Sequence, residues 1–340
     1  MKVLITGASG FIGSFLVEQA LSEGLETWAG VRKSSSKDYL QDVRIRFIDL
    51  HFADKERLKQ QITAHVAEHG IWDYVIHNAG VTKCLNPDDF ERVNYLYTKH
   101  FIEALQETGN VPKKFLLMSS LSAHKDGLQT AYGDSKLKAE AFLNAQTDFP
   151  HLIFCPTGVY GPREKDYFLM LKTIKNGLDV VAGFEPQQLT FIYVKDLAKA
   201  AFLALQSSHT NGVGARGTGL DGGEMSQGGG EPRPYNITDG HVYLDDEYTA
   251  VAKNALGQKY TLKIRVPLAV LKTVCQIAEN VAKLTKKPAT LNSDKYKIMA
   301  QRDWTCDSSP AETDFGFRPD YDLTRGMAEC VAWYKANKWL

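Results

Sequence analysis

Tyr132 and Lys136, in AYGDSK at 131–136, stand four residues apart, the distance of one helical turn. A phenol beside an ammonium is a proton-transfer pair. A free phenol, with a pKa of about 10, is a poor base at neutral pH, and a neighbouring cation favours its anion. Lowering that pKa by ~3 units corresponds to about 4 kcal/mol of differential stabilisation. The same spacing recurs at Tyr95/Lys99 and Tyr334/Lys338, so spacing alone decides nothing. Position does. Tyr132 follows the strand-like run KKFLLMSS, which ends in Ser119 and Ser120, whereas the other two pairs lack a preceding hydroxyl and read as solvated helix faces. A serine donating to a substrate oxygen holds it in line, which makes proton and hydride movement effectively unimolecular.

A second group lies at the chain start. TGASGFIG, residues 6–13, follows the strand-like KVLI and opens a helix. Gly7 allows a tight turn, Gly10 lets backbone approach a pyrophosphate, and Gly13 lets helix pack on strand. The helix amides around Ser9, Phe11 and Ile12 then meet the negative charge. The next strand, ETWAGV, ends in Arg32 and Lys33 rather than an acid, which suits the 2′-phosphate of NADP better than the free ribose of NAD. Asp49, followed by Leu50, ends the third strand. It is placed either to bond an adenine amine or to cap the helix beginning near Ala53.

These groups need a scaffold that gathers strand ends. From residue 2 to about 160, short β-branched runs alternate strictly with helical patterns, the mark of βαβ units stacked into a doubly wound parallel sheet. Such an α/β sheet, of the Rossmann type, binds ligands beyond the carboxyl ends of its strands. The expected division is a dinucleotide domain at 1–160, rejoined by stretches near 187–206 and 235–238. Residues 161–340 form mainly a smaller α+β substrate-binding portion. Asp196 reads as the N-cap of the helix VKDLAKAAFLALQ. Residues 207–234, with nine glycines between Gly212 and Gly230, read as a flexible surface loop.

Formal charge over the 340 residues is zero, so neither nucleic acid nor a membrane is expected as a partner. The five cysteines are scattered, which fits reduced thiols in the cytoplasm. His65 and His69 have metal-ligand spacing without a recognisable third donor. They read as a solvated face, and no metal site is expected. The amphipathic stretch 267–284 reads as a helix covering a core or pocket, with a membrane-surface role as the lesser alternative.

TGASGFIG, HNAG at 77–80, Asn94, LLMSS, YGDSK, PTGVYGPR at 156–163, FIYVKDLA at 191–198 and YNITDG keep the order found in a known family. The chain resembles the extended short-chain dehydrogenase/reductases, of NAD-dependent epimerase/dehydratase type, over nearly its whole length. The resemblance implies Tyr132 as acid/base, Lys136 binding nicotinamide ribose and tuning the phenol, and Ser120 as substrate partner, with Ser119 and Ser122 as alternatives. Asn78, Ala79 and Gly80 would form cofactor wall, and Pro156, Thr157, Gly158 and Val159 would line the nicotinamide pocket. It also implies a homodimer through helices near 86–108 and 131–147. Gly158 stands where relatives acting on nucleotide sugars carry Asn, Leu121 and Ser122 replace the acidic pair of sugar dehydratases, and Cys155 replaces a frequent Arg. These departures favour the branch resembling dihydroflavonol reductases and 3β-hydroxysteroid dehydrogenases, with reversible hydride transfer between a secondary alcohol or ketone and nicotinamide. The alternatives are a nucleotide-sugar epimerase and a non-catalytic dinucleotide sensor.

Overall fold

The computed structural model describes residues 1–211, 233–285 and 291–340, so most of the glycine-rich stretch at 207–234 lies outside the described residues. In the N-terminal half, β1 (Lys2–Thr6), β2 (Glu26–Gly30), β3 (Arg46–Ile48), β4 (Tyr74–His77), β5 (Lys114–Met118) and β6 (His151–Pro156) are connected by helices. These are α1 (Phe11–Ser22), α2 (Lys55–His69), the short α3 (Asp88–Phe90), which runs through a π turn (Glu91–Leu96) into α4 (Tyr97–Glu107), and α5 (Ala131–Asn144). Beyond Pro156 come β7 (Gly158–Tyr160), α6 (Asp166–Lys175), β8 (Leu178–Ala182), β9 (Gln188–Leu189), β10 (Phe191–Tyr193) and α7 (Val194–Gln206). They are followed by β11 (Tyr235–Ile237), β12 (Tyr243–Leu244), α8 (Asp245–Leu256), β13 (Leu262–Val266), α9 (Leu268–Thr285), α10 (Ser293–Ala300), α11 (Ser309–Phe315) and α12 (Leu323–Ala336).

Seven strands form one parallel sheet in the order β3-β2-β1-β4-β5-β6-β11. Its central strands are apolar on both faces because both are covered. Val3 and Ile5 of β1 join a core with Leu16 and Phe202, while Leu4 joins the opposite core with Leu58, Phe101 and Phe115. Winding reverses between β1 and β4, which opens a crevice at their carboxyl ends.

A buried chain of hydrogen bonds locks those two ends together. The Thr98 hydroxyl donates to Asn94 O at 2.8 Å and lies 3.1 Å from His77 Nε2, so it accepts the Nε2 proton. The Thr6 hydroxyl accepts from the Ala79 amide at 3.1 Å and lies 2.9 Å from His77 Nδ1, so it donates there. Both hydroxyls are thereby committed, and the imidazole is the neutral Nε2–H tautomer. Burial pushes its pKa down to about 3.

The structure corrects five smaller expectations. His65 is not solvated. It stacks on Trp72 with centroids 4.0 Å apart, meets Trp28 edge-on, and burial drives its pKa down to about 4; His69 packs on Trp28 as well. Tyr334 is buried too, its hydroxyl within reach of the Gly161 and Glu164 carbonyls at 2.9 and 2.8 Å. Tyr95 is half-buried and packs edge-on against Phe142. In each case an aromatic ring at helical spacing is core, as its apolar area favours. Asp196 does not cap α7. It sits in the first turn and accepts from the Asp320 and Tyr321 amides, tying the segment before α12 to α7. Asp54, rather than Asp49, caps α2, accepting from the Arg57 amide at 3.0 Å.

Three buried histidines, His65, His77 and His151, have pKa values lowered by burial. An unfolded histidine titrates near 6.5, so these contribute stability present above pH ~6.5 and lost as pH falls below it. His124, raised by Glu140, contributes in the opposite sense. Denaturant unfolding should therefore show stability falling by roughly 1 kcal/mol per pH unit for each of His65 and His77 between pH ~6.5 and 5, with His151 adding in the same direction. His65→Phe, which keeps the stacking, should remove one such contribution, and a slope unchanged by it would contradict the assignment. Tyr334→Phe should cost about 1 kcal/mol in the same measurement.

Candidate active site

The glycine loop leaves β1 at Thr6 and enters α1 at Phe11. Gly7 has φ +65° and lies against the loop after β4, where an added Cβ would stand 2.9 Å from Ala79 Cα and Asn78 O. At Gly13 a Cβ would meet Gly7 O at 2.1 Å, so helix and loop touch backbone to backbone. Gly10 is the N-cap and offers no side-chain acceptor, which leaves the first amides of α1 for an outside acceptor. The loop thus has the shape and polarity of a pyrophosphate cradle.

Arg32 and Lys33 are exposed just beyond β2. The Asp49 carboxylate accepts from the Lys33 amide at 3.2 Å, which fixes the turn carrying both cations. Leu50 is buried beside it. Ser9, Phe11, Ile12, Asn78 and Ala79 are half-buried around the crevice, and Gly80 is open. A Cβ at Gly80 would lie 2.9 Å from Asn94 Oδ1 and 3.3 Å from Lys136 Nζ, so this wall and the lysine meet closely. Asn94 sits in the π turn and clamps the same wall. It accepts from the Val81 amide at 2.8 Å and donates to Val81 O and the Ser135 hydroxyl.

Tyr132 is carried by the first turn of α5. Thr130 caps that helix by accepting from the Gly133 amide at 2.9 Å. Gly133 is needed for a different reason, because a Cβ there would lie 2.7 Å from Ser122 O. The bare backbone lets α5 press against the turn after β5, and this brings the phenol beside the Ser120 hydroxyl, close enough for that hydroxyl to pull its pKa down. Phe90 holds the other side of the ring edge-on at 5.9 Å. Ser120 also lies 2.9 Å from the Ser122 hydroxyl. Ser119 turns the other way and donates to the Glu140 carboxylate. Of the three serines, Ser120 is the one on the phenol.

In the protein alone, burial dominates the electrostatics of the pair. Burial pushes the Tyr132 phenol up to about 12; the Ser120 hydroxyl pulls it down and Cys155 pushes it up. Burial also lowers Lys136 to about 8, against the influence of Glu140, while its Nζ donates to Met118 O at 2.7 Å. The protein alone therefore holds a protonated phenol rather than an anion.

Beneath this pair lies a cluster that no spacing in the chain announces. Buried Glu140 receives His124 Nε2 at 2.6 Å and the Cys155 thiol at 3.7 Å as well as Ser119. The donor atoms of His124, Glu140 and Cys155 all lie within 4.8 Å of one another. Burial and the carboxylate hold the Cys155 thiol protonated, so it acts here as a hydrogen-bond donor. All five cysteines are free. At Gly158, a Cβ would lie 2.4 Å from the Tyr167 hydroxyl, so Tyr167 fills the space an asparagine would need.

A family model described as the NAD dependent epimerase/dehydratase family matches residues 3–215. The ceramide reductase of Caulobacter vibrioides is 25% identical over 338 residues, covering 99% of this chain and 96% of that protein. The 3 beta-hydroxysteroid dehydrogenase/Delta 5-->4-isomerase of Mycobacterium tuberculosis is 22% identical over 361 residues, covering 98% and 90%. Among solved structures, the UDP-glucose 4-epimerase of Thermotoga maritima with UDP-glucose superposes with a TM-score of 0.73 at 18% identity, covering 99% of this chain and 100% of that one. The Thermus thermophilus UDP-glucose 4-epimerase complex with NAD gives 0.70 at 19%, covering 98% and 99%. The matched span, the parallel sheet with its glycine cradle, and the near full-length likenesses agree: the chain belongs to the NAD-dependent epimerase/dehydratase family, the extended short-chain dehydrogenase/reductases.

Proposed function

We propose that the chain reduces a ketone, or oxidises the matching secondary alcohol, on an apolar substrate, with NADP(H) preferred over NAD(H). The observation that carries this reading is the Tyr132 phenol set beside Ser120 in the same crevice as Lys136 and the glycine cradle. The cradle fits a dinucleotide because Gly7 and Gly13 stand where a side chain would collide with backbone, and Gly10, the N-cap, leaves the first amides of α1 open to an outside acceptor. When bound, the nicotinamide supplies or accepts the hydride and, oxidised, adds a positive charge.

The chain's own groups move the proton and hold the substrate. With a pKa of about 12 the phenol is protonated across the neutral range, which suits a proton donor to a carbonyl oxygen receiving hydride. Ser120 is placed to share that oxygen and hold it in line. Lys136, cationic below about pH 8, would bind ribose hydroxyls and favour the phenolate needed for oxidation. Arg32 and Lys33 would take a 2′-phosphate, with Asp49 holding their turn. Pro156, Thr157 and Val159 would line the nicotinamide side, beside Gly80 and Ala79.

Two features favour an apolar substrate over a nucleotide sugar. Tyr167 fills the space beside Gly158. The relatives similar over nearly the whole chain include a ceramide reductase, a 3 beta-hydroxysteroid dehydrogenase and a putative dihydroflavonol 4-reductase. The two solved UDP-glucose 4-epimerases share the fold at under 20% identity and carry no argument about substrate, while an uncharacterized UDP-glucose epimerase of Bacillus subtilis, 26% identical, matches 62% of this chain. A cytoplasmic homodimer completes the reading. Leu96 and Leu137, exposed on the helices at 86–108 and 131–147, support the pairing surface.

Following nicotinamide absorbance with an apolar ketone, Tyr132→Phe should lower kcat by ~10²–10⁴-fold with cofactor affinity kept, and Tyr95→Phe should change little. Equal loss in both would overturn the assignment. The reductive kcat should hold below about pH 8 and decline above it as Lys136 loses its proton. Arg32→Ala should raise KM for NADPH about tenfold more than for NADH, and equal effects would remove the NADP preference.

A further inference from the structure

We infer that the outer face of α9, with the small β8–β13 sheet beside it, is a docking surface for an anionic lipid bilayer. Half of the exposed large apolar side chains among the described residues lie in two short stretches, 178–184 and 260–284. On α9, Leu271 and Cys275 face inward and pack with Ala182, Val266, Tyr296 and Met299, and Ala282 is buried as well. A separate stripe, Val270, Val274, Ile277, Val281 and Leu284, faces outward, at steps of four and three. The parallel pair β8–β13 repeats the pattern. Leu178 and Val180 align with Leu262 and Ile264 and are exposed, while the alternate residues Asp179 and Lys263 pair on the other face. Phe184 and Tyr260, both exposed, stand at the ends of these strands, where amphipathic rings suit a headgroup region.

Charge selects the occupant. Residues 259–285 carry Lys259, Lys263, Arg265, Lys272 and Lys283 against one carboxylate, Glu279, in a chain whose total is zero. Lys263 and Arg265 are answered by Asp246, and Glu279 is engaged by Ser293. Lys259 and Lys272 are exposed with no salt-bridge carboxylate among the described residues. A second copy meeting this face across a twofold axis would bring the same excess of positive charge to itself, whereas anionic headgroups oppose it. The stripe also lacks the Trp, Tyr or Arg anchors that dominate protein interfaces. Among the described residues no helix is long and apolar enough to cross a membrane, so the contact lies in the plane of the surface. Chain-wide neutrality, which argued against a membrane partner, conceals this local excess.

The face is tied to the candidate site. α9 packs on α10, whose Asp294 accepts from the Ala131 amide at 2.9 Å, and Lys297 donates to Gln129 O. Docking would set the crevice of Tyr132 near the bilayer, which serves the apolar substrate proposed above. That benefit rests on the proposed function, whereas the docking surface does not.

Flotation with vesicles of phosphatidylcholine containing phosphatidylglycerol, compared with phosphatidylcholine alone, tests the surface without any turnover. The protein should float with the anionic vesicles, less so at high salt. The double variant Ile277→Asp/Val281→Asp should lower the partition coefficient at least ~tenfold with an unchanged unfolding midpoint. Val43→Asp, at an exposed valine elsewhere, should float like the parent. Absence of flotation, or equal flotation of the double variant, overturns the proposal. So does a double variant that shifts the sedimentation coefficient while the parent fails to float, which would make the face a contact between copies.

Discussion

The first turn of α5 reaches Ser120 only because Gly133 lacks a side chain. A Cβ there would stand 2.7 Å from the Ser122 carbonyl, so any other residue would push the helix away from the strand end. The same constraint recurs across the crevice, where Gly7 lies on Ala79 and Gly80 lies on Asn94 and Lys136. The site is closed by three glycines, Gly7 and Gly133 against backbone and Gly80 against the side chains of Asn94 and Lys136. The side chains that do chemistry project from positions those contacts fix, which is how short polar groups from β5, α5 and the loop after β4 come to share a space of a few ångströms.

That closeness has an electrostatic consequence. Packing removes water from the phenol and the amine alike, and desolvation penalises whichever form is charged. The phenol rises and the amine falls, so both tend toward neutrality in the protein alone. Glu140 keeps the region from being wholly apolar. Its carboxylate, one turn beyond Lys136, is satisfied by Ser119, His124 and Cys155, and it raises the lysine against burial. An arginine at 155 would add a fixed cation under the site. With a thiol there, the cation available to Glu140 is His124, whose charge depends on pH.

How much of this was legible in the sequence follows from the range of each signal. The alternating runs and the glycine triplet are local, and they disclosed the sheet, the crevice and the pair Tyr132/Lys136. Long-range partners were not legible. Asp196 looks like a helix cap because Asp often is one, yet its carboxylate serves amides more than a hundred residues away. His65 and Tyr334 sit at spacings typical of solvated faces, and only the arrival of Trp72 or the Gly161 loop makes them core. The upward shift of the phenol in the protein alone was hidden for a similar reason, since proximity of a lysine says nothing about burial. Gly133 did carry a signal, a glycine one residue after the candidate acid/base inside a helix, where glycine is otherwise unfavourable.

The central claim is that the half-buried phenol beside Ser120 changes its proton affinity when positive charge enters the crevice. It is tested most directly by following the Tyr132 Cζ resonance in ¹³C-tyrosine-labelled protein across pH, with and without NADP⁺, and assigning it against Tyr132→Phe. The account predicts a phenol protonated up to about pH 12 in the protein alone and a pKa lower by a few units with the oxidised cofactor bound. A phenol already ionised at neutral pH in the free protein, or one indifferent to the cofactor, would contradict it.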